Sequence, residues 1–229
     1  PNGAGKSTTL KMLTTLLPPT AGTATVAGFD IVRQPAAVRR VIGYVPQLLS
    51  ADGALTGYEN LLVFAKLYDI RKQEREQLIR QSLELMQLEG AAGKLVNTYS
   101  GGMIRRLEIA QSMLHRPPIL FLDEPTIGLD PLARASVWGH IQELKSRYET
   151  TILLTTHYME EADSLCSRVA IMHQGVIAAI GTPAELKASL GGPEVTLDDV
   201  FAHFAGAELD KGGGYREVTR TRRTARRVG

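Results

Sequence analysis

The 229 residues carry 26 lysines and arginines against 24 aspartates and glutamates, a net charge of +2, with 44% hydrophobic and 22% charged residues. That is the composition of a folded globular protein, long enough for one α/β domain with an appendage or for one and a half domains, and its charge is too small to point to a polyanion such as nucleic acid as partner of the whole chain. No run of about 18 apolar residues is present to span a bilayer and no secretory signal is visible, while the single cysteine, Cys166, excludes an internal disulfide and fits a reducing cytosol.

The chain opens on Pro1-Asn2-Gly3-Ala4-Gly5-Lys6-Ser7-Thr8, the pattern G-x-x-x-x-G-K-[ST] without its leading glycine. Gly3 and Gly5 let the backbone curl so that successive N–H groups face phosphate oxygens. Lys6 brings mobile positive charge to the outer phosphates, and the Ser7 hydroxyl can ligate Mg²⁺. A helix is predicted to follow, with Leu10, Leu13 and Leu17 on one stripe and Pro18-Pro19 as its stop, so its dipole also faces the anion. These are the residues of a nucleoside triphosphate site. In known nucleotide-binding folds a buried strand precedes such a loop. None precedes it here and there is no initiator Met, so an N-terminally truncated piece is expected, lacking at least one core strand and binding its nucleotide weakly or not at all.

Beyond a Gly-rich segment around Gly22 and Gly28, the apolar run 41–45 predicts a strand, and Gln47 follows its end. A Gln at a strand end could reach a metal or an attacking water. Residues 46–98 turn helical: Leu61, Leu62, Phe64 and Ala65 begin one helix, and Leu78, Ile79, Ser82, Leu83, Leu85 and Met86 mark the stripe of a second on an otherwise charged segment. Ser100-Gly101-Gly102-Met103 then precedes a helix with Ile104, Leu107, Ala110 and Leu114 on one face. Its start presents N–H groups and a hydroxyl, a second place for an anion.

The α/β alternation returns with apolar runs at 119–122, 151–155, 169–172 and 176–179. The first of these ends in Asp123-Glu124. Beside a phosphate loop, Asp123 could hold Mg²⁺ directly or through water, and Glu124, one residue on, could polarise an attacking water. Asp130-Pro131 is a helix start, with Asp at the cap and Pro at the first helical position. His157 closes the strand at 152–156, at the end where open α/β sheets place ligands. It reads equally as a structural or a catalytic histidine. Thr196, with Asp199 three residues on and Val195 and Val200 flanking, reads as a capped and stapled helix start. After Gly212-Gly213-Gly214, the residues Arg216, Arg220, Arg222, Arg223, Arg226 and Arg227 crowd the last stretch. They read as a solvated tail or as a contact with anionic headgroups or a membrane partner.

Together these stretches resemble the ATP-binding cassette family, specifically the nucleotide-binding subunits of ABC transporters, over nearly the whole chain. Residues 1–8 look like a Walker A loop lacking its first glycine, which implies nucleotide contacts from Asn2, Gly3, Ala4, Gly5, Lys6, Ser7 and Thr8. Gln47 looks like the Q-loop glutamine. Tyr99-Ser100-Gly101-Gly102-Met103 is similar to the family signature, with Met103 where many members carry Gln. Residues 119–124 are similar to Walker B with its catalytic Glu, Gly128-Leu129-Asp130 to the D-loop, and His157 to the switch histidine. The resemblance implies an α/β P-loop NTPase fold with residues 1–45 and 99–190 as core, 46–98 as a helical subdomain and 191–229 as a C-terminal extension. It implies ATP and Mg²⁺ as ligands, with Ser7, Gln47 and Asp123 on the metal and Glu124, His157 and Gln47 in catalysis. It also implies a symmetric pair of chains, in which Ser100, Gly101, Gly102 and Asp130 contribute to sandwiched nucleotides.

A finer likeness to drug-exporter ATPases of the daunorubicin-resistance type is carried by residues 99–114, 124–131, 154–163 and 196–201. It implies export of a drug-like or other hydrophobic substrate through a separate integral membrane permease, with this chain peripheral at the cytoplasmic face. Rival readings are an importer, a lipid or polysaccharide exporter, or a non-transport ATPase. Ribosome-acting members usually carry two cassettes and DNA-acting ones long coiled-coil insertions, and neither is seen here. A non-hydrolysing module is disfavoured by the presence of both Glu124 and His157.

Overall fold

Helix α1 (Lys6–Leu13) begins at the lysine of the glycine-rich loop and ends earlier than the prolines predict. The Thr14 hydroxyl turns back to the Leu10 carbonyl at 2.9 Å, Thr15 adopts φ 63°, and the N–H groups of Leu16 and Leu17 both close onto the Lys11 carbonyl. A left-handed residue with doubled bonds to one carbonyl is how a helix terminates, not how it propagates. Of the predicted stripe only Leu10 is buried, and Leu17 is 41% exposed.

The computed structural model describes residues 2–192 and 194–206, so the arginine-rich end and its Gly212-Gly213-Gly214 hinge lie outside the described residues. Lys6–His157 forms one unit. Strands β1 (Thr25–Val26) and β2 (Phe29–Asp30) pair antiparallel around Ala27-Gly28, both at positive φ, as a two-residue hairpin turn requires. Helix α2 (Pro35–Arg40) follows, with proline in its first turn; the sequence reading assigns neither the hairpin nor this helix. Strands β3 (Ile42–Val45), β4 (Ile119–Asp123) and β5 (Thr151–Thr155) form a parallel sheet in that order. Val45 lies opposite Leu122, and Leu122 opposite Leu154. β4 is buried from Leu120 to Asp123, as expected of a central parallel strand that reads as an unbroken apolar run. Leu10, Val26, Ile31, Val38, Ile42 and Phe121 pack into one cluster that ties α1, the hairpin and α2 to the sheet.

Between β3 and β4 the chain passes through α3 (Gly57–Leu67), α4 (Lys72–Leu85) and α5 (Gly101–Met113). α3 starts with a reciprocal Thr56–Glu59 capping box, and α4 buries Ile79, Leu83 and Leu85 of its predicted stripe. α5 lies against β3 so closely that a Cβ on Gly43 would stand 2.6 Å from the Ser112 carbonyl oxygen and 2.9 Å from Leu120 Cδ1. Helix α6 (Pro131–Tyr148) follows β4, and Asp130 accepts from the N–H groups of Leu132 and Ala133, as the Asp-Pro start predicts.

The other unit takes in the described residues before Lys6 and after His157. After α7 (Met159–Leu165), β6 (Val169–His173) and β7 (Val176–Gly181) form an antiparallel hairpin, with Gln174 and Gly175 both left-handed at its turn. Helices α8 (Pro183–Ala188) and α9 (Leu197–Gly206) complete it. Its core gathers Ala162, Ile171, Leu186, Leu197 and Val200, with Val195 packed alongside. Thr196 and Asp199 exchange the predicted capping bonds at the start of α9.

Candidate active site

The parallel register brings the C-terminal ends of β3, β4 and β5 to one edge, where open α/β sheets hold ligands. At the end of β4 the chain departs from the strand. Glu124 has φ 49°, uncommon for a residue with a Cβ. On a continuing strand adjacent side chains point to opposite faces; the left-handed turn breaks that alternation, and both carboxylates meet the start of α1. Asp123 Oδ1 accepts from Ser7 Oγ at 2.9 Å and from Thr155 Oγ1 at 2.6 Å. Glu124 Oε1 lies 3.6 Å from Lys6 Nζ, and Oε2 lies 2.9 Å from His157 Nδ1. Two neighbouring residues of α1 thus meet two neighbouring carboxylates, one to one. A carboxylate only accepts, so the bond to Glu124 assigns the His157 proton to Nδ1.

Asp123 and Glu124 are 2% and 6% exposed, and buried carboxylates demand partners of this kind. Thr155 also fixes the main chain between them: its hydroxyl and its carbonyl both accept from the Glu124 N–H, each at 3.1 Å. Tyr44 stands close enough that burial and then the Asp123 charge raise its phenol above its usual pKa. The Ser7 and Asp123 oxygens are hard donors 2.9 Å apart. Neighbouring corners of an octahedron with bonds of about 2.0–2.1 Å have a separation of about 3 Å, so this pair fits two positions on Mg²⁺, with phosphate and water for the rest.

The loop glycines belong to the other unit. Gly3 and Gly5 have φ 77° and 99°, the left-handed conformations that the curling of a phosphate loop requires. Ala4 is buried and its carbonyl accepts the Gly175 N–H at 3.0 Å, while Asn2 is exposed. Thr8, on α1, is exposed.

A family model described as ABC transporter matches residues 1–127. The chain belongs to the ABC transporter family. The daunorubicin/doxorubicin resistance ATP-binding protein DrrA of Streptomyces peucetius is 47% identical over 191 residues, which cover 83% of this chain and 58% of that protein, so the chain spans a little over half of the relative's length. A solved ATP-binding subunit of an ABC transporter matches with TM-score 0.77 at 31% identity, over 89% of this chain and 85% of that one. A dimeric ATP-binding cassette in a post-hydrolysis state, bound to ADP and Pi, matches with TM-score 0.70 at 27% identity, over 80% and 82%. The fold is therefore that of the ABC ATPases, a P-loop NTPase core, and the likeness to daunorubicin-resistance ATPases agrees with the relatives found.

The other site residues that the family resemblance implies make their hydrogen bonds elsewhere in this ABC-type fold. Gln47 is exposed just beyond β3, and its carbonyl accepts from Arg105 at 2.8 Å. Ser100 caps its own helix, accepting from the Met103 N–H at 3.3 Å. Ser100 and Gly101 are exposed; Gly102 is buried, and a Cβ there would meet Ala133 Cβ at 3.0 Å. Asp130 accepts two N–H groups of α6 at 2.9 Å each.

Sequence reasoning missed Thr155, whose contact with Asp123 depends on the β4–β5 register. It also missed Arg105 and Glu108, which form a buried ion pair at 2.9 Å inside α5. Their one sequence signal is an i,i+3 pair of opposite charges in a helix otherwise read for its apolar face.

Proposed function

We propose that this chain is the ATP-hydrolysing subunit of an exporter, driving a drug-like or other hydrophobic substrate through a separate membrane-spanning partner. The observation that carries the reading is the meeting of Lys6 and Ser7 with Glu124 and Asp123 at the end of β4, in a chain of the ABC transporter family. In the nucleotide-bound state the N–H groups of the Gly3–Gly5 loop and the α1 dipole hold the phosphates, with Asn2, Ala4 and Thr8 alongside, and Lys6 turns from Glu124 toward the γ-phosphate. Ser7 and Asp123 would hold Mg²⁺, which would supply neutralisation of phosphate charge. Gln47 would sense the metal and the attacking water.

Glu124 takes a proton from the attacking water as its oxygen bonds to the γ-phosphorus. The bond to the bridging oxygen breaks, and ADP leaves with the electron pair. His157 holds the Glu124 carboxylate in place and steadies the γ-phosphate. Thr155 keeps Asp123 and the Glu124 turn fixed, so little reorganisation is needed when the charge develops.

Two copies of the chain close on two nucleotides, each site completed by Ser100, Gly101, Gly102 and Asp130 of the other copy. The exposure of Ser100 and the dimeric form of the ADP- and Pi-bound relative support this. Residues 46–98 serve as the helical subdomain between core segments 1–45 and 99–190, with 191–229 as an extension. Among the described residues no helix is long and apolar enough to cross a membrane, and the reading places the chain at the cytoplasmic face through its permease. The resistance named for the Streptomyces peucetius relative supports the class of cargo.

Glu124→Gln keeps size and hydrogen bonding but removes the base, so turnover falls about 10²–10⁴-fold while ATP binding persists. In inverted vesicles carrying the permease, ATP-dependent uptake of a fluorescent anthracycline disappears with the same substitution. Wild-type turnover by Glu124→Gln would remove the base from this account. ATPase activity without uptake of any hydrophobic cargo would remove export.

A further inference from the structure

The segment after β3 is anchored in an unusual way. Gln47, Leu48, Leu49 and Ser50 are all exposed, and the two leucines, 81% and 51% open to solvent, anchor the loop only weakly. Its main chain is nevertheless fastened, from below, by α5. The Arg105 guanidinium donates to the Pro46 carbonyl at 2.7 Å and to the Gln47 carbonyl at 2.8 Å. Glu108 Oε1 accepts from the Ser50 N–H, from the Ser50 hydroxyl at 3.1 Å and from the Ala51 N–H at 3.3 Å. Arg105 and Glu108 close on each other at 2.9 Å, with both side chains 2% exposed. One turn further along α5, the Ser112 hydroxyl donates to the Tyr44 carbonyl at 3.1 Å. A polar stripe at 105, 108 and 112 therefore tracks the chain from the end of β3 to Ala51.

A buried ion pair is a costly way to hold two elements together. The Arg105 pKa falls below its ordinary value because desolvation outweighs the attraction of Glu108 and then of Asp123, although a guanidinium keeps its charge. What the pair delivers is geometric. Two fixed donors and a carboxylate hold both ends of the segment that carries Gln47, and they hold it to the helix that starts at Ser100. Loops satisfied by water have no such constraint.

We propose that Arg105 and Glu108 are positioning residues for ATP hydrolysis: the pair fixes the main chain of residues 46–51 and so sets where the Gln47 amide stands relative to Ser7 and Asp123. The proposal rests on the role given to Gln47 above. It goes beyond that role by assigning its placement to two side chains that touch neither nucleotide nor metal.

The test compares Gln47→Ala, the double variant Arg105→Met/Glu108→Leu, and all three substitutions together in the purified protein. Replacing both charges by apolar residues of similar volume avoids the buried lone charge that either single change would leave. The double variant is expected to lower kcat about 10–100-fold and to raise the Mg²⁺ concentration for half-maximal rate, as loss of an outer-shell partner does. ATP affinity measured without Mg²⁺ stays unchanged, and the Ser50 and Ala51 amides lose hydrogen-exchange protection. Adding Gln47→Ala brings no further loss, because the two lesions act on one group. Arg105→Lys, which can serve one carbonyl but not both in a fixed fork, gives an intermediate rate.

Wild-type kcat and Mg²⁺ dependence in the double variant overturn the proposal, as does full additivity with Gln47→Ala. In the additive case Gln47→Ala itself is slow, so the role of Gln47 stands and only the pair's role falls. If Gln47→Ala turns over normally while Glu124→Gln does not, the Gln47 role falls and the pair's role with it. If the double variant does not fold, Glu108→Gln takes its place, with the same expected Mg²⁺ shift and the same absence of an added effect on Gln47→Ala.

Discussion

At the ends of β4 and β5 the polar side chains interlock within the chain: Ser7 and Thr155 on Asp123, Lys6 and His157 on Glu124. At the start of α5 the reverse holds, with Ser100 and Gly101 exposed and the serine hydroxyl engaged, among the described residues, by the Met103 N–H of its own helix. In the first region these side chains satisfy one another, and in the proposed mechanism Lys6 and Ser7 exchange their carboxylate partners for phosphate and metal. The second presents donors with nothing to exchange. A site built from both needs rigidity on one side and accessibility on the other. That division is what a nucleotide clasped between two copies of the chain calls for.

The sharpest way to break the comparison is to injure one region at a time and then mix. Lys6→Ala and Ser100→Arg each abolish ATPase activity as homodimers, since every composite site carries a lesion. Equal mixing leaves one intact site in each heterodimer, and activity returns to at most about a quarter of wild type if the two sites turn over independently. If Ser100 serves its own chain's nucleotide, mixing restores nothing. A second readout separates that result from sites that must fire together. With Cys166 replaced, cysteines substituted for Asn2 and Ser100 crosslink between chains, more readily with ATP in the Glu124→Gln background. Absence of both rescue and crosslinks would sink the shared site.

A smaller effect probes the interlocked region alone. Thr155→Val removes the hydroxyl that donates to Asp123 and accepts from the Glu124 N–H. Turnover is expected to fall about 10–100-fold with a raised Mg²⁺ requirement, and Thr155→Ser to restore most of it. Equal rates for Val and Ser would reduce Thr155 to a packing residue.

The smallest effect belongs to the open region and is one of stability. A methyl on Gly102 would approach Ala133 Cβ to 3.0 Å, where α5 starts against α6. Gly102→Ala should cost about 1–3 kcal/mol by overpacking, read from urea denaturation, and Ala133→Gly in the same chain should recover part of it. No loss on Gly102→Ala would mean that the two helix starts can separate freely.

How much of this was legible in the sequence follows from how far apart the partners are. The strand at 119–123 was readable because a central parallel strand is apolar throughout, the edge strand at 151–155 because of its Ile152-Leu153-Leu154 run, and the starts of α6 and α9 because their caps are local. Lys6, Ser7, Asp123, Glu124 and His157 could be singled out since each lies in a short stretch with its own pattern. Thr155 and Arg105 could not: their bonds to Asp123 and to Pro46 span 32 and 59 residues, and only the folded register brings them together. The early end of α1 was hidden for another reason. Thr14 and Thr15 compete locally with the helix through a hydroxyl bond and a left-handed residue, while Pro18-Pro19 offered a louder but later stop.

Val45, Leu122 and Leu154 lie level across the three parallel strands, and Gln47 and Glu124 each follow two residues beyond that line. Point substitutions leave this alignment intact; changes of length do not. Deleting one residue from 119–122 would draw Glu124 into the place of Asp123 and hand every strand side chain beyond the deletion to the opposite face. An insertion of the same size in the exposed turn around Gly128 would leave the carboxylates where they are. Among homologous chains, length variation should therefore be absent within these strands and tolerated just beyond them.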